Sequence, residues 1–251
     1  MAARSSAAWY PTAAYLYVLH LDGPALAWEY LRRNPDYGRA WLRRRREPEA
    51  GQAWGLRLLE DPTLDARDAH PVWFPDPDDV LQLYPDADPP PDAEVFEFWH
   101  IPGRKRLIHD GTRLVLVSDW PGHRVRLALA PGLEDGMAYV YAIRARTARC
   151  RRHRAIAMQL DTLMAAEDDA PVAMTGPRPT SGALFELRTL QALDATLAGA
   201  SLREVAVGLF GSAAVAAGWY VDGGLRSRVR RLVRRGRSLM HGDYRRLARL
   251  E

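Results

Sequence analysis

Between Leu225 and Met240 the apolar positions are 225, 229, 232, 233, 236, 239 and 240. At about 100° per residue they share one arc roughly 120° wide, which predicts an α-helix with a single buried face. The same run carries seven arginines, all outside that arc, so the rest of its surface is cationic. A second amphipathic helix is predicted over Leu184 to Leu197, with apolar residues at 184, 187, 190, 193 and 197. Between the two, Gly199-Ala200-Ser201-Leu202-Arg203-Glu204-Val205-Ala206 reads as a turn and a capping box. Ser201 at the N-cap accepts from the N3 amide, and Glu204 reaches back to the N-cap amide. Val205, Ala206, Leu209 and Phe210 then face the core. Helix, glycine turn and capped short helix are helix-turn-helix syntax. The Arg-rich helix comes next, but after a connection, Gly211 to Gly224, longer than the ordinary turn, so the arrangement is a variant.

The N-terminal residues 9 to 46 read as a small helical module, with Asp22-Gly23-Pro24 marking a turn and Pro35 ending a helix at Asn34. Trp9, Trp28, Tyr30, Tyr37 and Trp41 are its expected core, base stacking being their alternative use. From Glu60 to Glu97 twelve acidic residues face only Arg67, and prolines recur. This predicts an extended, solvated linker, with shielding of the basic helix in cis as the other reading. Short β-favourable runs follow at Val95–Trp99, Leu107–His109, Arg113–Val117, Val125–Leu129 and Met137–Ile143. Their spacing predicts an antiparallel meander, whose apolar face Trp73 and Phe74 or a neighbouring helix would cover. A helix over Arg149 to Ala166 and a loop from Gly176 to Gly182 complete the pattern. The expected fold class is α+β: a small N-terminal helical module, a central antiparallel β meander and a C-terminal all-α helix-turn-helix variant. The expected boundaries are 1–55 for the helical module, 56–94 for the acidic linker, 95–146 for the β-rich domain and 147–251 for the helical DNA-binding domain.

Charge sharpens this picture through its distribution. Lys105 is the only lysine, so arginine abundance reflects base composition of the gene more than binding. Residues 223–251, however, hold ten arginines against Asp243 and Glu251, a net of +8, while the whole chain is +4. Such segregation makes a local positive field that attracts polyanions. Duplex DNA is the expected partner, because the guanidinium fork suits phosphate oxygens and the O6/N7 edge of guanine. A membrane surface fits less well, since the apolar arc lacks Trp or Phe. Cys150 stands alone, the N-terminus lacks a secretory h-region, and Val205 to Val221 is too short and weakly apolar to span a bilayer. The expectation is a cytoplasmic protein, at the nucleoid when bound. Walker A, dinucleotide-binding, zincin and nucleophile-elbow spacings are all missing from the sequence, so no enzyme, catalytic residue or cofactor is expected. His109, Asp110, Asp119 and His123 read as hairpin surface residues rather than a metal site.

The helical positions assign roles. Arg226, Ser227, Arg228, Arg230 and Arg231, at the start of the Arg-rich helix, lie nearest base edges in the major groove. Arg234, Arg235 and Arg237 hold phosphates, and Ser201 and Arg203 meet the DNA backbone where the capped helix crosses it. Leu190 to Leu247, with "ALDATLAGASLREVAVGLFG", "LRSRVRRLVRRGRSLM" and "GDYRRL", resembles the helix-turn-helix-variant domain of unknown function in regulators of proteobacterial integrative and conjugative elements. Residues 9 to 42 resemble the small transcriptional-regulator-like domain that accompanies it. The resemblance implies activation of excision and transfer genes, with RNA polymerase and a small antiactivator as partners. Homodimeric binding to a two-part site is expected, since one short helix supplies little specificity. Two rivals stand beside this: an antiactivator-like module that binds another regulator, and an architectural excision factor that bends DNA.

Overall fold

The structure, a computed structural model, describes residues 9, 11–46, 48–74, 80–109, 113–120, 123–142, 157–158, 160–161, 163, 180–220 and 224–250. Its architecture is α+β, with N-terminal helices, a five-stranded sheet and C-terminal helices. The chain divides into two compact units. Met1–Pro48, Leu59–Pro71 and Arg178–Glu251 form the first; Glu49–Leu58 and Val72–Pro177 form the second.

In the first unit a 3-10 helix, Thr12–His20, precedes α1 (Gly23–Leu31) and α2 (Pro35–Arg43). Each α-helix begins where the sequence supplies a cap followed by proline. Asp22 accepts from the Ala25 amide at 2.8 Å, and Asn34 accepts from the Asp36 amide at 2.8 Å. The C-terminal helices are α3 (Ser181–Leu197), α4 (Leu202–Phe210), α5 (Ser212–Gly218) and α6 (Gly224–Ser238). Helix α6 runs into a π turn, Leu239–Asp243, and then α7 (Tyr244–Leu247). Trp9, Trp28, Tyr30 and Tyr37 are buried as expected, whereas Trp41 is half-exposed and stacks under the Arg44 guanidinium. N- and C-terminal helices share this core: the 3-10 helix packs on α3, and α1 on α7.

The second unit holds β1 (Val80–Pro85), β2 (Arg104–His109), β3 (Leu114–Trp120), β4 (His123–Leu129) and β5 (Tyr139–Ala142), in the order β2-β3-β4-β1-β5. Strands β2, β3 and β4 form the expected antiparallel meander. Strand β1 departs from it, pairing parallel with β4 and antiparallel with β5, so the sheet is mixed. It arises within the stretch 56–94 that reads as linker, and Val80, Leu81, Gln82 and Leu83 are all buried. A strand buried on both faces shows no alternation, and this one is hidden among Asp and Pro. The acidic stretch is folded elsewhere too. The carbonyl of Leu64 accepts from the Trp28 indole at 3.0 Å, and the Glu60 carbonyl accepts from Tyr37 at 2.6 Å.

Val95–Trp99, expected as a strand, makes only an isolated bridge, Val95 to Ala138. Its Phe96 plugs the core of Leu81, Leu83, Leu116, Val125, Leu127 and Leu129, and the Phe98 amide donates to Asp135 instead of a ladder partner. Leu160 and Leu163 pack against that core, while Val72 packs with Val115 and Val117 in a second cluster. Of the helix expected over Arg149 to Ala166, the described residues 157, 158, 160, 161 and 163 are helical. Cys150 and most of the loop Gly176 to Gly182 lie outside the described residues.

Candidate nucleic-acid interface

Helix α6 has the two faces its sequence predicts. Val229, Leu232, Val233, Gly236, Leu239 and Met240 are buried and Leu225 half-buried. The helix lies against α3, and at Gly236 the two are in close contact. A β-carbon there would stand 3.0 Å from Leu193 Cβ and 3.3 Å from the Thr189 carbonyl. The arginines fall into two groups. Arg226, Arg230, Arg231, Arg234 and Arg237 are exposed, and among the described residues they form no ion pair. Arg228, also exposed, and the half-buried Arg235 lie along one edge of the buried arc and are engaged by neighbours. The Arg228 guanidinium lies 5.3 Å from the Phe210 ring centroid. Arg235 pairs with Glu186 of α3 and lies 5.4 Å from the Phe185 ring. Ser227 is exposed beside them.

Ser201 occupies the cap. Its amide donates to Glu204 Oε2 at 2.8 Å, and the Glu204 amide donates to Ser201 Oγ at 3.3 Å, completing the capping box at the start of α4. Ser201 and Arg203 are both exposed. The segment Gly211 to Gly224, read as a long connection, contains α5. Gly211 alone separates it from α4, at φ 84°, a left-handed value that glycine adopts without strain. Of α5 only Val215 is buried, and Ser212, Ala213, Ala214, Ala216 and Ala217 are exposed. Sequence reasoning missed this helix because a single large apolar residue between glycines gives no periodicity. The alanine run, with its high helix propensity, was the available signal.

The helices that carry this surface are tied to α1 by buried charge. Glu186, which pairs with Arg235, also accepts from the Tyr30 hydroxyl at 2.8 Å. Arg33 binds Asp194 of α3 with two nitrogens, at 2.5 and 2.8 Å, and reaches the fully buried Glu29 at 2.5 Å. Asp194 accepts as well from Tyr15, and Asn34 donates to the Met240 carbonyl at 3.0 Å. Burial, reinforced by Glu186, pushes the Tyr30 hydroxyl well above the usual tyrosine range, and burial with Asp194 does the same to Tyr15. Burial acts against the Arg33 charge, but Asp194 and Glu29 outweigh it and hold the guanidinium more firmly protonated than usual.

At the far end of α6 a cleft of about 390 Å³ opens over Leu239 and Leu247, with Arg231, Arg234 and Arg235 on one wall and Arg246 among its lining residues. Among the described residues no three His, Cys, Asp or Glu side chains gather as a metal site. His109 pairs with Leu114 at one end of β3 and Asp119 lies near the other, five residues along the strand and bonded to Arg124. Asp110 is outside the described residues. No helix among the described residues is long and apolar enough to cross a membrane.

Three family models match the chain. Residues 8–58 are similar to a proteobacterial transcriptional regulator-like domain, 78–125 to a domain of unknown function (DUF7011), and 126–249 to a domain described as "T6SS, Transcription factor, DNA binding domain". No curated protein matches the chain. The first and last of these models support a DNA-binding regulator, and both are of transcription-regulator type.

Proposed function

We propose that this chain is a sequence-specific transcriptional activator that binds duplex DNA through its C-terminal helices and switches on excision and transfer genes of an integrative and conjugative element. The observation that carries the DNA-binding part is the five-arginine face of α6, backed by a buried face that fixes its orientation. The assignment to a conjugative element rests on the sequence resemblance. In this reading Arg226, Ser227, Arg230 and Arg231 reach base edges, and Arg234 and Arg237 hold phosphates. Arg228 and Arg235, steadied by Phe210 and by Glu186, reach the flanking backbone. Ser201 and Arg203 meet the backbone at the start of α4. A homodimer on a two-part site, RNA polymerase and a small antiactivator complete the proposal, and the protein acts in the cytoplasm.

The tight turn at Gly211 favours a second reading of the same interface. The helix that follows a short turn is the one that enters the major groove in helix-turn-helix proteins, and here that is α5. Its alanines would meet thymine methyl groups, and the arginines of α6 would hold phosphates on either side.

A mobility-shift titration at two salt concentrations, on DNA upstream of excision genes and on scrambled duplex, tests the proposal. The wild type is expected to prefer the upstream DNA, and Arg226/Arg230/Arg231→Ala to lose binding. Base-by-base substitution in the site separates the readings. Readout by α6 predicts that each arginine change relaxes one position by about 1–3 kcal/mol. Readout by α5 predicts uniform weakening by the arginine changes and altered preference on Ala213→Gln or Ala216→Gln. A folded protein that binds neither duplex is instead a module for another regulator.

A further inference from the structure

We infer that the cleft between α6 and α7 is a phosphate-binding subsite. Arg231, Arg234, Arg235 and Ser238 stand at i, i+3, i+4 and i+7, so they share one side of α6. The π turn then redirects the chain at Gly242, and α7 brings Arg246 into the lining of the same cleft. Four guanidinium groups therefore line one cavity of about 390 Å³, with Asp243 the single carboxylate among them. Asp243 is already engaged, accepting from Ser238 Oγ at 2.5 Å.

Asp243 and Glu186, the partner of Arg235, offset part of this charge, and the exposed Arg231 and Arg234 keep the cleft net positive, which favours an anion. The shape selects which anion. A tetrahedral phosphate offers three or more acceptor oxygens, enough to take donors from two helices at once, whereas a planar carboxylate has two. Arg235 adds an independent sign. Glu186 holds its outer nitrogen, yet its Nε is buried without a hydrogen-bond partner among the described residues. That donor is satisfied once the side chain shifts to meet an acceptor, and an anion in the cleft that Arg235 lines supplies one. The leucines at 239 and 247 form an apolar floor, which lowers the local dielectric and strengthens the attraction.

The phosphate has two sources: the backbone of bound DNA, in which case the inference deepens and rests on the function proposed above, with Arg231 moved from a base edge to the backbone, or a free phosphorylated small molecule. Two measurements on the full chain separate them. The first titrates inorganic phosphate and pyrophosphate against the wild type, Arg246→Ala and Asp243→Asn at constant ionic strength. Arg246→Ala is expected to weaken phosphate binding by about tenfold or more. Asp243→Asn keeps the acceptor for Ser238 and removes the negative charge, so it is expected to tighten binding, a gain that damage to the fold would not produce. The second follows DNA affinity against salt, where loss of one phosphate contact in Arg246→Ala lowers the slope of log K on log salt by about 0.9.

A change in the DNA slope identifies a backbone phosphate. Altered phosphate binding with an unchanged slope identifies a free phosphorylated ligand. If Arg246→Ala moves neither quantity, the subsite is overturned even though the protein binds DNA. If the wild type binds no DNA, the function proposed above fails, and the first titration alone decides the cleft.

Discussion

Arg33 shows how a residue with no motif around it becomes structurally decisive. It lies on the first turn after α1, yet its guanidinium is the only cation placed to serve Glu29 and Asp194 together among the described contacts. Glu29 is fully buried, and its other oxygen accepts from the Ala66 amide at 2.7 Å. Arg32 Nε also donates to Glu29 at 2.9 Å, so removing Arg33 leaves Glu29 with one guanidinium in place of two and takes from Asp194 its cation. Arg33→Ala should therefore destabilise the chain by about 1.5–3 kcal/mol, the worth of hydrogen bonds to charged groups, measured by urea unfolding. A loss below about 1 kcal/mol would mean that water replaces the guanidinium and that the pairing is of the weak surface kind. At this scale the sequence was only partly legible. The arginines of α6 read as one set, because composition treats them alike. Helical angle does not separate them, since Arg226 and Arg237 lie as near one edge of the apolar arc as Arg228 and Arg235 lie to the other. What singles out Arg228 and Arg235 is the presence of Phe210, Phe185 and Glu186 on their side.

At the scale of elements, local signals were enough for α3, α4 and α6. The three-residue spacing of Leu187, Leu190 and Leu193 turns those residues inward, while Leu184 and Leu197 at the helix ends stay about half exposed. The capping box forms as read, because its two hydrogen bonds lie within three residues of sequence. Packing between elements needed the structure. Gly236 reads as one more position of the apolar arc, but its role is to let α6 approach α3 at Thr189 and Leu193. Replacing it with valine should cost about 1–3 kcal/mol by overpacking, although glycine is the poorer helix former. Equilibrium unfolding of Gly236→Val checks this, and an unchanged or raised midpoint would mean that the two helices separate without penalty. Strand β1 was illegible for a related reason. Its neighbours β4 and β5 lie about forty and sixty residues away in sequence, and no window around Val80–Pro85 contains them.

For the molecule as a whole, the first unit is assembled from both ends of the chain. Tyr15, Tyr30, Arg33 and Asn34 come from the N-terminal helices, and Asp194, Glu186 and the Met240 carbonyl from the C-terminal ones. The helices that carry the arginine face are thus held by partners that a C-terminal fragment lacks. Residues 178–251 made alone should lose fixed side-chain packing and give a collapsed NMR amide spectrum, while the full chain stays well dispersed. A well-dispersed spectrum for the fragment would show that the hydrophobic face of α3 against α6 is sufficient by itself. If the prediction holds, the N-terminal helices are part of the DNA-binding unit, and substitutions there will alter DNA affinity through stability.

The sequence by itself determined which residues turn inward and where helices begin. The two faces of α6, the caps at Asp22, Asn34 and Ser201, and the meander β2-β3-β4 all follow from periodicity and short-range hydrogen bonding, which operate within a few residues. Tertiary structure alone decided what those inward faces meet. It inserted β1 beside β4, folded the acidic stretch around Tyr37 and Trp28, and committed Arg235 to Glu186 while the six other arginines of α6 remained exposed. Periodicity records how a segment orients its own side chains. The partner across a sheet or a helix interface is chosen by the joint burial and charge balance of segments distant in sequence, and no local pattern records that choice.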